Sequence, residues 1–176
     1  ASLTTAQIRA LGSEQVRGLG SQQIKALNAS QISSLDVDDL SALTSGQVQF
    51  ISTQGINSLT TSQVVGLGTH QVHGLTSAQV AALSTSAIKA MSTQQLKALD
   101  TDQIQAVSNI ALQSLSSNQL SALGTNQIRA LTSAQVGAMT TGLIKALTSE
   151  QVISLSTQQV NALTSNQISA LDASDL

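Results

Sequence analysis

Leu3-Thr4-Thr5-Ala6-Gln7-Ile8-Arg9-Ala10-Leu11 carries one complete structural instruction, and the rest of the chain repeats it. Thr4 with Gln7 three residues later is the signature of a capping box. The hydroxyl of the cap accepts the amide hydrogen of the Gln residue, and the Gln side chain reaches back to the amide of the cap. Leu3 before the cap and Ile8 four residues after it complete a hydrophobic staple. The stretch predicts a short helix that opens after Thr4 and closes near Leu11, where Gly12 begins the next unit.

Outward from this stretch the pattern recurs every eight residues, without insertion or deletion. The 176 residues divide into twenty-two octads, 8 × 22 = 176. Positions from Ile8 to Leu176 in steps of eight are Ile, Val or Leu, and those from Leu3 to Leu171 are Leu, Ile, Met or Val. The cap is Thr, Ser, Gly, Asp or Asn in every octad, and Gln follows three residues later in sixteen. Charges obey the same frame, because a helix favours acids in its first turn and bases in its last. All seven bases, Arg9, Arg17, Lys25, Lys89, Lys97, Arg129 and Lys145, follow the second aliphatic residue. All nine acids, Glu14, Asp36, Asp38, Asp39, Asp100, Asp102, Glu150, Asp172 and Asp175, sit at the cap or at the second or third helical position.

One continuous helix is excluded, since eight residues advance about 800°, some 80° past two turns, and the apolar stripe would spiral round the rod. A β-solenoid is the alternative, because Thr, Ile and Val suit strands. It conflicts with the opposite parity of Ile8 and Leu11, which would face opposite sides of one strand, and with the helix preference of Gln, Ala and Leu. The fold class expected is all-α: a tightly wound α-solenoid of about 22 very short capped helices of about six or seven residues. Residues 1–176 read as a single octapeptide-repeat solenoid and as an excerpt of a longer array, because the first and last octads look like interior ones. One octad buries too little to offset the entropy of ordering its backbone, so stability must come from stacking. The small residue before each Leu, Ala, Gly or Ser everywhere except Phe50, lets neighbouring coils approach closely. Taking two octads per coil gives eleven coils and a rod of roughly 100 Å. On that count, a weaker likeness between residues 4–40 and 140–176, offset by seventeen octads, sets related segments on opposite sides of the rod.

Composition removes whole classes of function. No Cys excludes disulfides and thiolate metal sites, and a single aromatic, Phe50, with a net charge of −2 argues against nucleic-acid binding. No apolar run is long enough to cross a membrane, and an export signal is expected outside this segment. His70 and His73 share a helix face but have no third ligand nearby, so they read as solvent-facing. Asp36, Asp38 and Asp39, like Asp100 and Asp102, resemble fragments of a calcium loop, yet the glycine and closing Glu are missing and capping accounts for them. Arg9, Arg17 and Lys25 form a basic ladder that reads as solvated helix ends. Asn28-Ala29-Ser30 fits a glycosylation sequon, but Asn28 already serves as a cap. Phe50-Ile51, Gly55 and Asn109-Ile110-Ala111 depart from the unit and read as local distortions. No catalytic, cofactor-binding or metal-binding residue is assigned, no cofactor is expected, and the chain reads as a non-enzyme.

The unit at 3–11, echoed by Leu-Thr-Ser-Ala-Gln-Val at 75–80 and 131–136, resembles the octapeptide arrays of very large, repetitive bacterial surface or secreted proteins. The resemblance spans the whole chain and implies an extracellular or cell-surface, adhesin-like or fibre-forming role. The expected function is a filament body or a stalk and spacer. The alternative is a repetitive adhesive surface for glycan, ice or a cell surface. An intracellular peptide-binding solenoid lacks the aromatic and Arg-rich face that supplies hot spots. The partners expected are further copies, through stacked repeats or head-to-tail ends, with no nucleic acid, no membrane insertion and some cell-surface or glycan contact.

Overall fold

The computed structural model describes residues 3–171. Among them are twenty-one helices, from Thr5–Arg9 to Ser165–Ile168, and no strand, so the β-solenoid alternative falls. The twenty-second octad, with Asp172, Asp175 and Leu176, lies outside the described residues. The helices span four to six residues, slightly shorter than expected. The shortening lies in the final turn, which closes with i→i−3 bonds such as Leu11 N–H to the Ile8 carbonyl and Leu19 N–H to the Val16 carbonyl, both 3.1 Å.

Between helices the backbone is extended for two residues. Leu35 has φ −62° and ψ 140°, and the cap Asp36 has φ −76° and ψ 173°. No described residue has a positive φ, glycine included. Successive octads therefore meet at a corner, where a two-octad coil would need a hairpin reversal at every junction.

The packing corrects the two-octad coil. Thr5–Arg9 lies against Ala29–Ser34, Ser13–Arg17 against Val37–Ala42, and Ser77–Ala82 against both Thr53–Asn57 and Thr101–Ala106, partners three octads apart. Side-chain hydrogen bonds reach helices four octads back: the Gln95 amide donates to the carbonyls of Val64 and Leu67, both at 2.8 Å. One coil thus takes more than three and fewer than four octads. Twenty-two octads then make about six coils, a rod of roughly 50 to 60 Å at ordinary helix spacing. The seventeen-octad likeness no longer places related segments on opposite sides, since that followed from the two-octad count alone.

The second aliphatic of each octad points to the axis; Ile32, Val72, Leu120 and Ile128 are wholly buried. With the Leu of the staple they make one core that runs from Ile8 to Leu163. The small residue before each Leu sits where coils meet. A β-carbon on Gly74 would lie 2.6 Å from the Ser45 carbonyl oxygen, and one on Gly66 would lie 2.2 Å from Val37 Cγ1. Phe50 breaks this rule by staying half-buried beneath Lys25, whose Nζ lies 5.0 Å from the ring centroid. The helix beside it, Ser45–Val48, is reduced to four residues, the local distortion the sequence suggests.

Candidate functional site: a ladder of buried amides

The capping boxes form as the sequence predicts. Thr76 N–H donates to Gln79 Oε1 at 2.8 Å while Gln79 N–H donates to Thr76 Oγ1 at 3.2 Å, and Asn28 with Gln31 and Asp100 with Gln103 repeat the exchange. Where the cap is Gly12, Gly20, Gly68 or Gly124, only the Gln half exists, because glycine has no side chain to accept.

The box uses only the oxygen of each Gln. Its amide nitrogen points the other way, into the preceding coil. Gln63 Nε2 donates to Leu35 O at 2.7 Å, Gln71 Nε2 to Leu40 O and Leu43 O at 2.9 and 2.7 Å, and Gln127 Nε2 to Leu96 O and Leu99 O at 2.9 and 2.7 Å. One side chain therefore satisfies the N-terminus of its own helix and the C-terminus of a helix four octads earlier, the two places where a helix lacks partners. These glutamines are buried, and among the described residues no buried side-chain nitrogen or oxygen lacks a partner.

Because each rung spans four octads, the rungs line up in four columns along the rod. The column through Gln31, Gln63, Gln95, Gln127 and Gln159 is unbroken. The others are interrupted where Asp39, Gly55, Ala87, Ala111 and Leu143 stand in place of Gln. A capping box accounts for Gln so completely that the second bond passes unnoticed in the sequence. A signal was available: Glu serves the box and the helix dipole at least as well as Gln, yet no octad has Glu at that position. Only an amide can both accept and donate.

Asp39 tests this directly. Its carboxylate is buried, and Ser13 Oγ donates to it at 2.9 Å, but it has nothing to donate to the coil before. The rule of the ladder assigns it the carbonyls of Ile8, Arg9 and Leu11. We expect Asp39→Gln to supply that rung, complete the box on Asp36 and raise stability by about 1 kcal/mol, read as a higher urea midpoint. An unchanged or lowered midpoint would break the rule.

A second set of bonds runs forward. Arg17 Nε donates to Ala42 O at 3.4 Å, His73 Nδ1 meets Ala98 O at 3.2 Å, and Gln113 Nε2 donates to Ala138 O at 2.6 Å, each across 25 residues. Lys25 over Phe50 has the same offset. These side chains at the helix C-terminus thus close the end of the helix three octads ahead. Arg17 also lies 3.7 Å from Glu14 on the exposed surface.

The remaining candidates are separated by these roles. His70 is exposed against Gly68 while His73 turns to Ala98. Asp36 and Asp100 accept amide hydrogens as caps, and Asp38 and Asp102 are exposed in first turns. Among the described residues no three His, Cys, Asp or Glu side chains come together as a metal site. Gly55 is held where Ile51 and Ile32 leave no room, a β-carbon there falling 2.9 and 3.1 Å from their side chains. Ile110 is exposed and Ala111 buried at the start of Asn109–Gln113. No helix among the described residues is long and apolar enough to cross a membrane.

A model of the ALTTAQ repeat matches residues 1–29, 32–69, 75–109, 111–141 and 141–173. The chain belongs to the ALTTAQ repeat family. No curated protein matches it. The stretch Ala-Leu-Thr-Ser-Ala-Gln at 130–135 gives the ALTTAQ motif its physical reading. Ala130 is the small residue at a helix end, Leu131 the buried staple, and Thr132 the cap whose N–H donates to Gln135 Oε1 at 2.8 Å. Gln135 then reaches back to Val107 O at 2.7 Å. In this ALTTAQ array the motif is the minimum needed to start one helix and fasten it to another coil, and its repetition makes a structural repeat protein.

Proposed function

We propose that the chain is a non-catalytic structural rod of a bacterial surface or secreted protein, serving as a stalk or as the body of an extracellular filament. The observation that carries this reading is the unbroken amide column from Gln31 to Gln159 beside a core that runs without interruption along the chain. Such an architecture adds length by adding octads, and each coil is fastened mainly to its neighbours. Its buried polar groups are spent on holding coils together, which leaves none positioned to act on a substrate.

Small-angle scattering on arrays of different octad number tests the rod. The maximum dimension should grow linearly, by roughly 9 Å per added coil, with constant cross-section; a cross-section that grows with chain length would sink it. Location is tested by antibody labelling of intact source cells. Labelling that requires permeabilised cells would remove the extracellular part.

A second reading, an adhesive surface, is favoured by the exposed hydroxyls at the first helical position, among them Thr61, Thr69, Thr101, Ser117, Thr125 and Thr141. They recur at the spacing of the coils, as a glycan-binding rack would require. A glycan array without signal discards this reading.

A further inference from the structure

We infer that the two end faces of this chain are the two halves of its own inter-coil interface, and that a second copy docks head to tail in octad register. This rests on the reading of the chain as a rod and names the contacts by which rods join.

At the N-terminal face, Gln7, Gln15 and Gln23 are exposed, unlike the buried glutamines of later coils, because no coil precedes them. Their oxygens still serve the caps Thr4, Gly12 and Gly20, which leaves the amide nitrogens facing outward. Beside them lies an apolar hollow lined by Leu3, Ile8, Leu19 and Leu27. At the opposite face Val160 and Ile168 are 44% and 51% exposed, although the same octad position is 1% exposed at Val136 and Ile144. They line a second hollow with Val152, Leu155, Leu163 and Leu171. One face offers amide donors and leucines; the other offers aliphatic side chains and helix C-termini whose carbonyls face no further coil.

The register matches as well. Interior rungs join a Gln to residues 31, 30 and 28 positions earlier, as Gln63 does to Ile32, Ser33 and Leu35. Because 176 is a whole number of octads, Gln7 of a second copy stacked in phase falls where residue 176 + 7 = 183 of an uninterrupted chain would. Its amide then meets Val152, Ile153 and Leu155. Gln15 meets Val160, Asn161 and Leu163 in the same way, and Gln23 meets Ile168, Ser169 and Leu171. Charge agrees: residues 1–25 carry Arg9, Arg17, Lys25 and Glu14, net 3 − 1 = +2, whereas residues 150–176 carry Glu150, Asp172 and Asp175, net −3. Opposite ends attract and like ends repel, which favours head-to-tail order over a two-fold pair.

The test is sedimentation velocity with negative-stain imaging of the 176-residue chain over a range of concentrations. We expect growth into rods of constant width whose lengths are multiples of one rod. The triple variant Gln7→Glu, Gln15→Glu, Gln23→Glu keeps every capping oxygen but loses the donors. It should fold with unchanged helicity and associate at least tenfold more weakly. Ile168→Glu on the other face should do the same. The triple variant retains a sound C-terminal face, so a small fraction of it added to wild type should shorten the rods by terminating growth. Rod-shaped monomers up to millimolar concentration, side-by-side dimers of doubled width, or full growth by the triple variant would each overturn the inference while leaving the single rod intact. A wild-type chain that is not rod-shaped would instead sink the reading beneath it.

Discussion

Gln95→Glu should destabilise the chain by about 3 to 5 kcal/mol, although it preserves size, helix propensity and the capping box. Gln95 Oε1 accepts the Ser92 N–H at 2.9 Å, and a carboxylate oxygen would take that bond equally well. Its Nε2 lies between the carbonyls of Val64, Val65 and Leu67 at 2.8, 3.2 and 2.8 Å, at a side chain 3% exposed. A carboxylate there sets a buried negative charge against three carbonyl oxygens, with no donor to offer any of them.

Gln95→Ala should cost less, about 1 to 3 kcal/mol, since it removes the rung without burying a charge; Ala87 and Ala111 occupy this position in other octads. Gln15→Glu is the control. Gln15 is exposed and its amide fastens no earlier coil, so the same exchange should leave stability unchanged or slightly raised by the helix dipole.

The Gln95→Glu variant should also acquire a pH dependence of known sign. Burial raises the pKa of the introduced carboxyl above its unfolded value of about 4.3. Its protonated form is favoured in the folded state, so the deficit is smallest below about pH 4 and opens as pH rises through the raised folded value. Urea midpoints for Gln15→Glu and Gln95→Glu that fall together, or a Gln95→Glu deficit that does not shrink in acid, would refute the rung.

What the sequence discloses and what it withholds divide at the octad boundary. Inside one octad the information is local: Thr4, Gln7 and Ile8 lie within five residues of one another, and their spacing dictates cap, box and staple directly. Helix starts were therefore legible, as was the placement of Asp36 and Asp100 as caps and of Phe50 as a distortion. The number of octads per coil was not legible. It depends on the corner between helices, fixed by the extended backbone at residues such as Leu35 and Asp36, and an aliphatic–cap pair has no residue type that selects one corner over another. The partner of each Gln was hidden for the same reason, since which carbonyls lie 31 residues back is known only once the coil is closed. Only the absence of Glu from that position hinted at it.

Phase is the property on which everything else depends, and deleting residues separates it from length. Removal of residues 76–83, one whole octad, moves Gln95 back by eight, so the residues 31, 30 and 28 positions before it become Ile56, Asn57 and Leu59. These hold the same octad positions as Val64, Val65 and Leu67, and the rung re-forms on identical chemistry. The expected loss is about 1 kcal/mol, the share of eight residues in an ordinary stability.

Removal of Ala78 alone is a smaller excision with a larger effect. Thr76 and Gln79 lose the spacing that makes their box. Gln79, Gln95 and Gln103, whose rungs all span the gap, each meet a carbonyl one residue out of place and about 100° round the helix. Three buried amides without partners cost about 1 to 3 kcal/mol each, and the displaced aliphatics add to that. Ala78 deletion should therefore lose about 5 kcal/mol or more, while loss of the octad is barely felt. Urea unfolding followed by circular dichroism at 222 nm decides between them. Equal losses would mean that the coils are held by unspecific burial; a loss confined to the one-residue deletion would show that register along the ladder is what the repeat encodes.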